Sequence, residues 1–438
     1  MEEFIDEREI IWRTFGVTDI SPWSIAIVII AGIFIFFVPR RYVVSVMFVP
    51  AFFIPEAQRI VVSDLDFNIL RILVIFGWLR LLLDSQPLPV LKLNAIDITV
   101  ILWSASSAMA YWWLRESLSA LTYQVGETFQ ALGLYFMFRF FLRDLSDMDR
   151  LFKGLAIVCV GIAIAMTFES ITEKNVLSGL GANEPVWRNG KLRCMGPFGH
   201  PILAGTFGAS LIPFFVAFWW QKDKPFILPA AGLTAGIIIV VTSASSGPII
   251  TLFFGIIALC VWPLRKQLRL LRWGMALGVI ALDIIMKDPV WHIITKFTLV
   301  DGSTAYHRTR LIDAAVAHFD EWYALGTEST AHWGWGLQDT TNHFIRTGVD
   351  GGVTSLVLFV LIIVFCFQSI GRLLPLLESQ AGAAKMFFWA MGASLLAHVA
   401  SFFGVSYFDQ IIFWWLLLLA SISTSRDMYT KIRLRKTV

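Results

Sequence analysis

Charge is what this sequence has least of. Its 438 residues hold 35 Lys and Arg and 32 Asp and Glu, 15% of the chain, where a soluble domain carries about 25%. So few charges cannot cover the surface of a soluble protein of this length, which excludes a soluble enzyme and a disordered chain. A net charge of +3 also excludes the broad basic field of a nucleic-acid binder. Cysteine is scarce too. Cys159, Cys260 and Cys366 lie in apolar runs and Cys194 stands alone in a polar loop, so there is neither a disulfide framework nor a C-x-x-C metal pattern. H-E-x-x-H, Walker A and G-x-S-x-G are absent, which leaves zinc hydrolysis, ATPase and α/β-hydrolase chemistry without support. Internal repeats, coiled-coil heptads and low-complexity tracts are missing as well. Met1–Ser21 is acidic and mixed, so no cleavable signal peptide is expected and the spans themselves carry the targeting.

Apolar residues are abundant: 57% of the chain, with 14% aromatics and a mean hydropathy of +0.70. A bilayer core needs about 20 mostly apolar residues per helix. The candidate spans are Trp23–Val38, Tyr42–Ile54, Phe67–Leu83, Ile96–Leu114, Leu118–Phe141, Leu151–Phe168 and Pro201–Trp219. Phe226–Thr242, Pro248–Leu264, Leu270–Met286, Val353–Ile370, Met386–Phe403 and Phe408–Ile422 follow. The expected fold is therefore an all-α polytopic membrane protein with about 12–13 transmembrane helices, the count depending on whether the Pro-interrupted second segment crosses.

Arg40, Arg41, Arg139, Arg143, Arg150, Lys153, Lys222, Lys224, Arg265, Lys266, Arg269, Arg372, Lys385 and the basic tail fall on alternate connections. The positive-inside rule makes these cytoplasmic, with the C-terminus. The whole chain, 1–438, reads as one helical membrane domain. Two opposite-side connections are long, 169–200 and 287–352, and loops of that size are usually functional or disordered. The second holds Trp291, Trp322, Trp333 and Trp335, so it is expected to be an ordered cap before the last three spans. Leu311, Ala314, Ala315, Ala317, His318 and Trp322 suggest a surface helix within it.

Three constellations carry possible chemistry. The first, Arg188-Asn-Gly-Lys191-Leu-Arg193-Cys-Met-Gly-Pro-Phe-Gly-His200-Pro201, leads into a span. Three cations break the outer-loop charge rule there, and anionic ligand groups would explain Arg193, Arg188 and Lys191. Anionic lipid headgroups are the plainer reason. The glycines allow close backbone approach, and the following helix offers free N–H groups. His200 reads first as a helix-start residue and second as a ligand. The second constellation is Thr304-Ala-Tyr306-His307-Arg308-Thr-Arg310-Leu-Ile-Asp313. Its two arginines face different sides of a helix; Arg310 has Asp313 as an i, i+3 partner, whereas Arg308 has no such neighbour. The third runs from His332 to Gly352. There Asp339, Asn342, His343 and Arg346 would share one helical face, with Asp339 as the cap in the plainer reading. A neutral histidine can accept a hydroxyl proton. The Ser243–Pro248 turn, through Ser246, is a further candidate lining. Arg71, Glu127, His398 and Asp409 lie in or beside apolar runs, where ionisable groups are functional candidates by default. Asp64-Leu-Asp66 has a D-x-D form that divalent metals use.

Taken together, Arg193-x-x-Gly-Pro-Phe-Gly-His-Pro, the Ser-x-Ser-Ser-Gly-Pro turn, the Arg308/Arg310 helix and Thr-Asn-His343-Phe…Gly-Val-x-Gly-Gly give the chain a family likeness. It resembles the O-antigen ligase and polysaccharide polymerase superfamily of bacterial envelope enzymes, over roughly Phe152 to Phe408. Members commonly show His before Asn in the last motif; here the order is Asn342-His343, a shift of about 100° around a helix. The resemblance implies a metal-independent, inverting glycosyltransferase of the inner membrane with no cofactor. It implies an undecaprenyl-diphosphate-linked oligosaccharide as donor, gripped by Arg193, Arg308 and Arg310, with His343 as base. Polymerase is the reading preferred over ligase, on the Asn-His order, and a chain-length regulator or export complex would be a partner. A transporter of lipid-linked sugar is the contrasting class; it would favour matched broken helices in two halves, which the sequence does not show.

Overall fold

Short polar side chains decide where the helices begin. Ser21 accepts from the Trp23 N–H to open α1 (Pro22–Phe37), and Asn68 caps α3 (Ile69–Leu82). Asn94 and Asp97 form a reciprocal capping box on α4 (Ala95–Arg115), and Ser117 and Asp144 open α5 (Leu118–Phe141) and α6 (Leu145–Thr172). Each satisfies backbone N–H groups that a first turn leaves free. The remaining helices are α2 (Arg40–Phe53), α7 (Pro201–Ala217), α8 (Ile227–Thr242), α9 (Ser246–Cys260), α10 (Leu268–Ile285), α11 (Thr304–Ala317) and α12 (Phe319–Trp322). They end with α13 (His343–Leu376), α14 (Gly382–Phe402) and α15 (Ile411–Lys436).

The computed structural model describes residues 17–63, 65–84, 88–220, 226–292, 304–377 and 382–436. The acidic N-terminal stretch before residue 17, Asp64, Lys222 and Lys224 lie outside them. Each expected span falls on a helix. Among the described residues, four helices are long and apolar enough to cross a membrane, against the roughly 12–13 spans expected: α6, Pro201–Trp220, α13 and α14. The pair Ser246–Cys260 and Trp262–Ile285 passes the same test together but is bent by 72°.

The packing is that of a bundle with an apolar outer face. On α6, Ile157, Ile164, Phe168 and Ile171 are 50–76% exposed, a stripe that water would not tolerate at this size. The opposite face packs Phe152 on Phe214 at 4.0 Å. Inside, Trp414 donates to the Ser210 hydroxyl at 2.9 Å.

The bundle has two polar ends. At one, Arg139 of α5 makes two 3.0 Å bonds to Asp97 and one of 2.6 Å to Asp427, and Arg40 pairs with Asp147 at 3.2 Å. At the other, the chain builds a polar cap. Two antiparallel hairpins appear there: β1 (Arg59–Val62) with β2 (Leu65–Asn68), and β3 (Val186–Arg188) with β4 (Lys191–Arg193). Asp66, half of the D-x-D triplet, pairs with Arg59 at 2.9 Å. The expected surface helix stops at Ala317 and restarts as α12. Leu311, Ala315, Trp322, Trp333, Leu337 and Val349 give this region its own small core.

Candidate functional site

The basic motif is a hairpin, not an open loop. Asn189 and Gly190 both have positive φ, 50° and 70°, the pattern of a two-residue type I′ turn; the Asn-Gly pair in the sequence was the signal for it. The strand after the turn runs inward, so Lys191 is exposed, Leu192 half-buried and Arg193 buried. Arg188 stays exposed. Glu169, fully buried at the end of α6, accepts the N–H groups of Met195 and Gly196 at 3.0 and 2.8 Å. It thereby fixes the glycine-rich stretch that follows Arg193.

Arg193 reaches Ser245 with Nε and Nη2 at 3.2 and 2.7 Å. The contact of the Ser243–Pro248 turn is therefore Ser245, and Ser246, the expected one, instead begins α9. Arg308 donates from Nη2 to the Gly404 carbonyl at 3.0 Å, and its buried Nε has no partner. Among the described residues, no carboxylate pairs with Arg193 or Arg308. Burial, then the charge of Arg188, lowers the Arg193 pKa to about 10 and also lowers that of Arg308. His200 is pushed down to about 3 by burial, then by Arg193 and Arg188. Arg193 holds Ser245, and Arg308 Nη2 lies 3.9 Å from the Cβ position of Gly247 two residues on, so the two guanidinium groups share one locale, with the charge of Arg188 acting on both. His200 is the N-cap of α7, its Nδ1 accepting from Ile202 at 3.1 Å.

The connector between α14 and α15 draws these parts together. Gly404 receives Arg308; Ser406 donates to the Thr340 carbonyl; the Tyr407 N–H donates to His343 Nδ1 at 3.1 Å. Asp409 accepts from the Gly199 and Glu56 N–H groups, and Gln410 donates to the carbonyls of Ile54 and Pro197 at 3.2 and 2.7 Å. Of this connector, sequence reasoning marked only Asp409, because no motif spans such distant partners. Glu56 beside it was also missed. Burial first, then the Asp409 and Glu127 carboxylates, raise its pKa to about 8.

His343 opens α13 and lines a cavity of about 220 Å³ with Arg346, Thr347 and Asp350 of the same helix and Glu127 of α5. Trp103, Tyr111, Tyr123 and Trp415 give it aromatic walls. Since Tyr407 occupies Nδ1, a neutral His343 carries its proton on Nε2 and meets a hydroxyl as a donor. It would remove a proton only on giving up the Tyr407 bond.

Other expected neighbours divide differently. Asn342 is the N-cap of α13, accepting from Phe344 and Ile345 at 3.0 and 3.2 Å. Asp339 therefore precedes the helix, does not cap it, and shares no helical face with His343. Arg346 is ion-paired to Asp350. Arg310 does not pair with Asp313, which binds Trp291 and His292 at 2.8 and 3.0 Å. It lies instead against Gly334 and 5.8 Å from the Tyr306 ring, away from Arg308. Arg71 and Glu127 form a 2.7 Å ion pair. His398 bonds the Tyr407 hydroxyl. Of the cap tryptophans, Trp322 and Trp333 are buried, whereas Trp335 is 78% exposed.

Compared with known proteins, the chain matches no protein-family model, and no curated protein matches it.

Proposed function

We propose that this chain is a bacterial inner-membrane glycosyltransferase that polymerises lipid-linked polysaccharide repeat units at its outward face. The observation that carries the reading is the pair of buried guanidinium groups, Arg193 and Arg308, in the field of Arg188 and with no acidic partner among the described residues. A buried cation is costly unless paired, and an anionic ligand would supply the missing pair. The two phosphates of one polyprenyl diphosphate match that need, with the lipid tail against the apolar outer face of the bundle.

The reaction proposed is a displacement at the anomeric carbon. The acceptor hydroxyl attacks the anomeric carbon, the bond from that carbon to the diphosphate oxygen breaks, and its electron pair leaves with the diphosphate. Arg193 and Arg308 stabilise the developing charge, a contribution of about 10²–10³ in rate for one such donor. Arg310 and Lys191 lie outside this pair, and Arg188 adds its field from the exposed strand. His343, donating from Nε2, orients the acceptor oxygen, and Glu127 in the same cavity receives the hydroxyl proton. The aromatic walls suit sugar faces. The likeness to ligases and polymerases supports this chemistry, and the order Asn342-His343 favours polymerase over ligase. The basic residues of the Arg139 end would then face the cytoplasm.

Proteoliposomes loaded with lipid-linked oligosaccharide test it. Wild type is expected to lengthen the lipid-linked glycan; Arg193→Ala and Arg308→Ala should lower the rate about 100-fold or more, and His343→Ala should do likewise. Transfer only to a lipid A core acceptor would make the protein a ligase. Flipping of the sugar-lipid with no bond formed would make it a transporter and end the enzyme reading.

A further inference from the structure

At the C-terminal end of α11, three potential ligands converge that the chain holds at separated positions. We propose that His318, Glu321 and His332 bind one divalent transition-metal ion, of which zinc fits the donor set best. The ligand atoms all lie within 4.8 Å of one another. His318 Nδ1 is 2.8 Å from Glu321 Oε1, and His332 Nε2 is 2.8 Å from Oε2. Two imidazoles and one carboxylate, with the fourth position left to water, is an arrangement that zinc accepts. Nitrogen donors also exclude magnesium and calcium as the preferred ions, since those take oxygen.

The groups are oriented before any ion arrives. His318 closes α11, its N–H bonding the Ala314 carbonyl at 2.9 Å, and Glu321 follows one turn later, bonded to the His318 carbonyl at 3.1 Å. The ring of Trp333 stacks on His318 at 5.4 Å with planes 5° apart. Its Nε1 donates to Glu321 Oε2 at 2.9 Å. One tryptophan thus positions an imidazole and the carboxylate together, the supporting role that outer groups play at metal sites. His318 is half-buried while Glu321 and His332 are exposed, which leaves an open path for the ion. On binding, each ring turns a lone pair to the metal and carries its proton on the other nitrogen.

The consequence is mechanical. The ion ties α12 to the Ala331–Trp333 turn, and Thr330 just before that turn bonds the Leu337 carbonyl at 2.7 Å. The segment so held leads to Asn342 and His343. The metal site is separate from the transfer site, because none of its ligands belongs to the cation locale.

The test uses the full chain in detergent micelles, tag-free, with Cys260→Ser to remove the exposed thiol. After chelator treatment it is titrated with zinc chloride against a chromophoric indicator. One equivalent of zinc should bind, and His318→Ala should weaken it about 100-fold or more. His332→Gln keeps a hydrogen-bond donor for Glu321 but is a poor ligand, so it should lose zinc with an unchanged elution profile. Zinc should also slow hydrogen exchange across 318–342 in the parent and leave it unchanged in His332→Gln. Absence of saturable binding, or equal affinity in both variants and the parent, overturns the site.

Discussion

A buried guanidinium with no acid beside it is an expensive residue to keep, and this molecule has both the paired and the unpaired kind. Arg139 is 2% exposed and satisfied by Asp97, Asp427 and Thr424. Arg308 is 6% exposed, holds one carbonyl and leaves Nε bare. The same substitution should act in opposite directions at the two positions. Arg308→Leu removes an unsatisfied donor and should raise unfolding stability by about 1–3 kcal/mol while abolishing transfer. Arg139→Leu strands Asp97 in the interior and should cost about 3–5 kcal/mol. Thermal unfolding of the two variants in one detergent decides it; a destabilised Arg308→Leu would mean that the bond to the Gly404 carbonyl outweighs the cost of the buried cation. Sequence could single out Arg193 and Arg308 because cations are rare in such loops. It could not choose Ser245 over Ser246, since the choice depends on where α9 starts.

At the scale of elements, the register of α13 explains what the His332–Gly352 motif does. A continuous helix from Asp339 would place Asp339 and His343 together, but Asn342 takes the N-cap and starts the helix at His343. Nine residues on, Gly352 interrupts it with φ 71° and ψ −178°, a conformation open almost only to glycine. There the Val353 N–H bonds the Tyr323 carbonyl at 2.9 Å. A Cβ on Gly352 would lie 2.3 Å from the Ala324 carbonyl oxygen. Gly352→Ala should therefore destabilise the protein by about 2 kcal/mol or more and undock the cap segment 323–327 before the bundle melts. Limited proteolysis should show it as early cleavage within the cap; a cleavage pattern like wild type would refute the docking role. The two glycines at the end of the motif were visible in the sequence, but not the carbonyl they make room for.

For the whole molecule, the separation of the two polar ends makes orientation measurable. Lys191 sits by the cation locale, whereas Arg150, bonded to Asp147 at 2.7 Å, belongs to the other end. In a Cys260→Ser background, Lys191→Cys should react with a membrane-impermeant maleimide in intact spheroplasts. Arg150→Cys should react only after permeabilisation. The reverse pattern would place the candidate site in the cytoplasm and remove lipid-linked glycan from consideration. The apolar stripe of α6 and the buried Ser210–Trp414 bond already fit a bundle whose outside is less polar than parts of its inside.

Composition and periodicity by themselves determined the helical class, the positions of the apolar segments and the chemistry worth watching. These depend on local properties: how many apolar residues run together, and which side chains break the run. Tertiary structure alone decided what those side chains meet. Arg308 reaches Gly404 across 96 residues of chain and Tyr407 reaches His343 across 64. Glu321 gathers His318 from its own turn and His332 from eleven residues on. No spacing rule encodes such meetings, because they are set by how helices pack and where their connectors cross. The connector from Gly404 to Gln410 is the plainest case: its residues form no motif, yet folding brings the basic hairpin, the cap helix and the His343 helix to it.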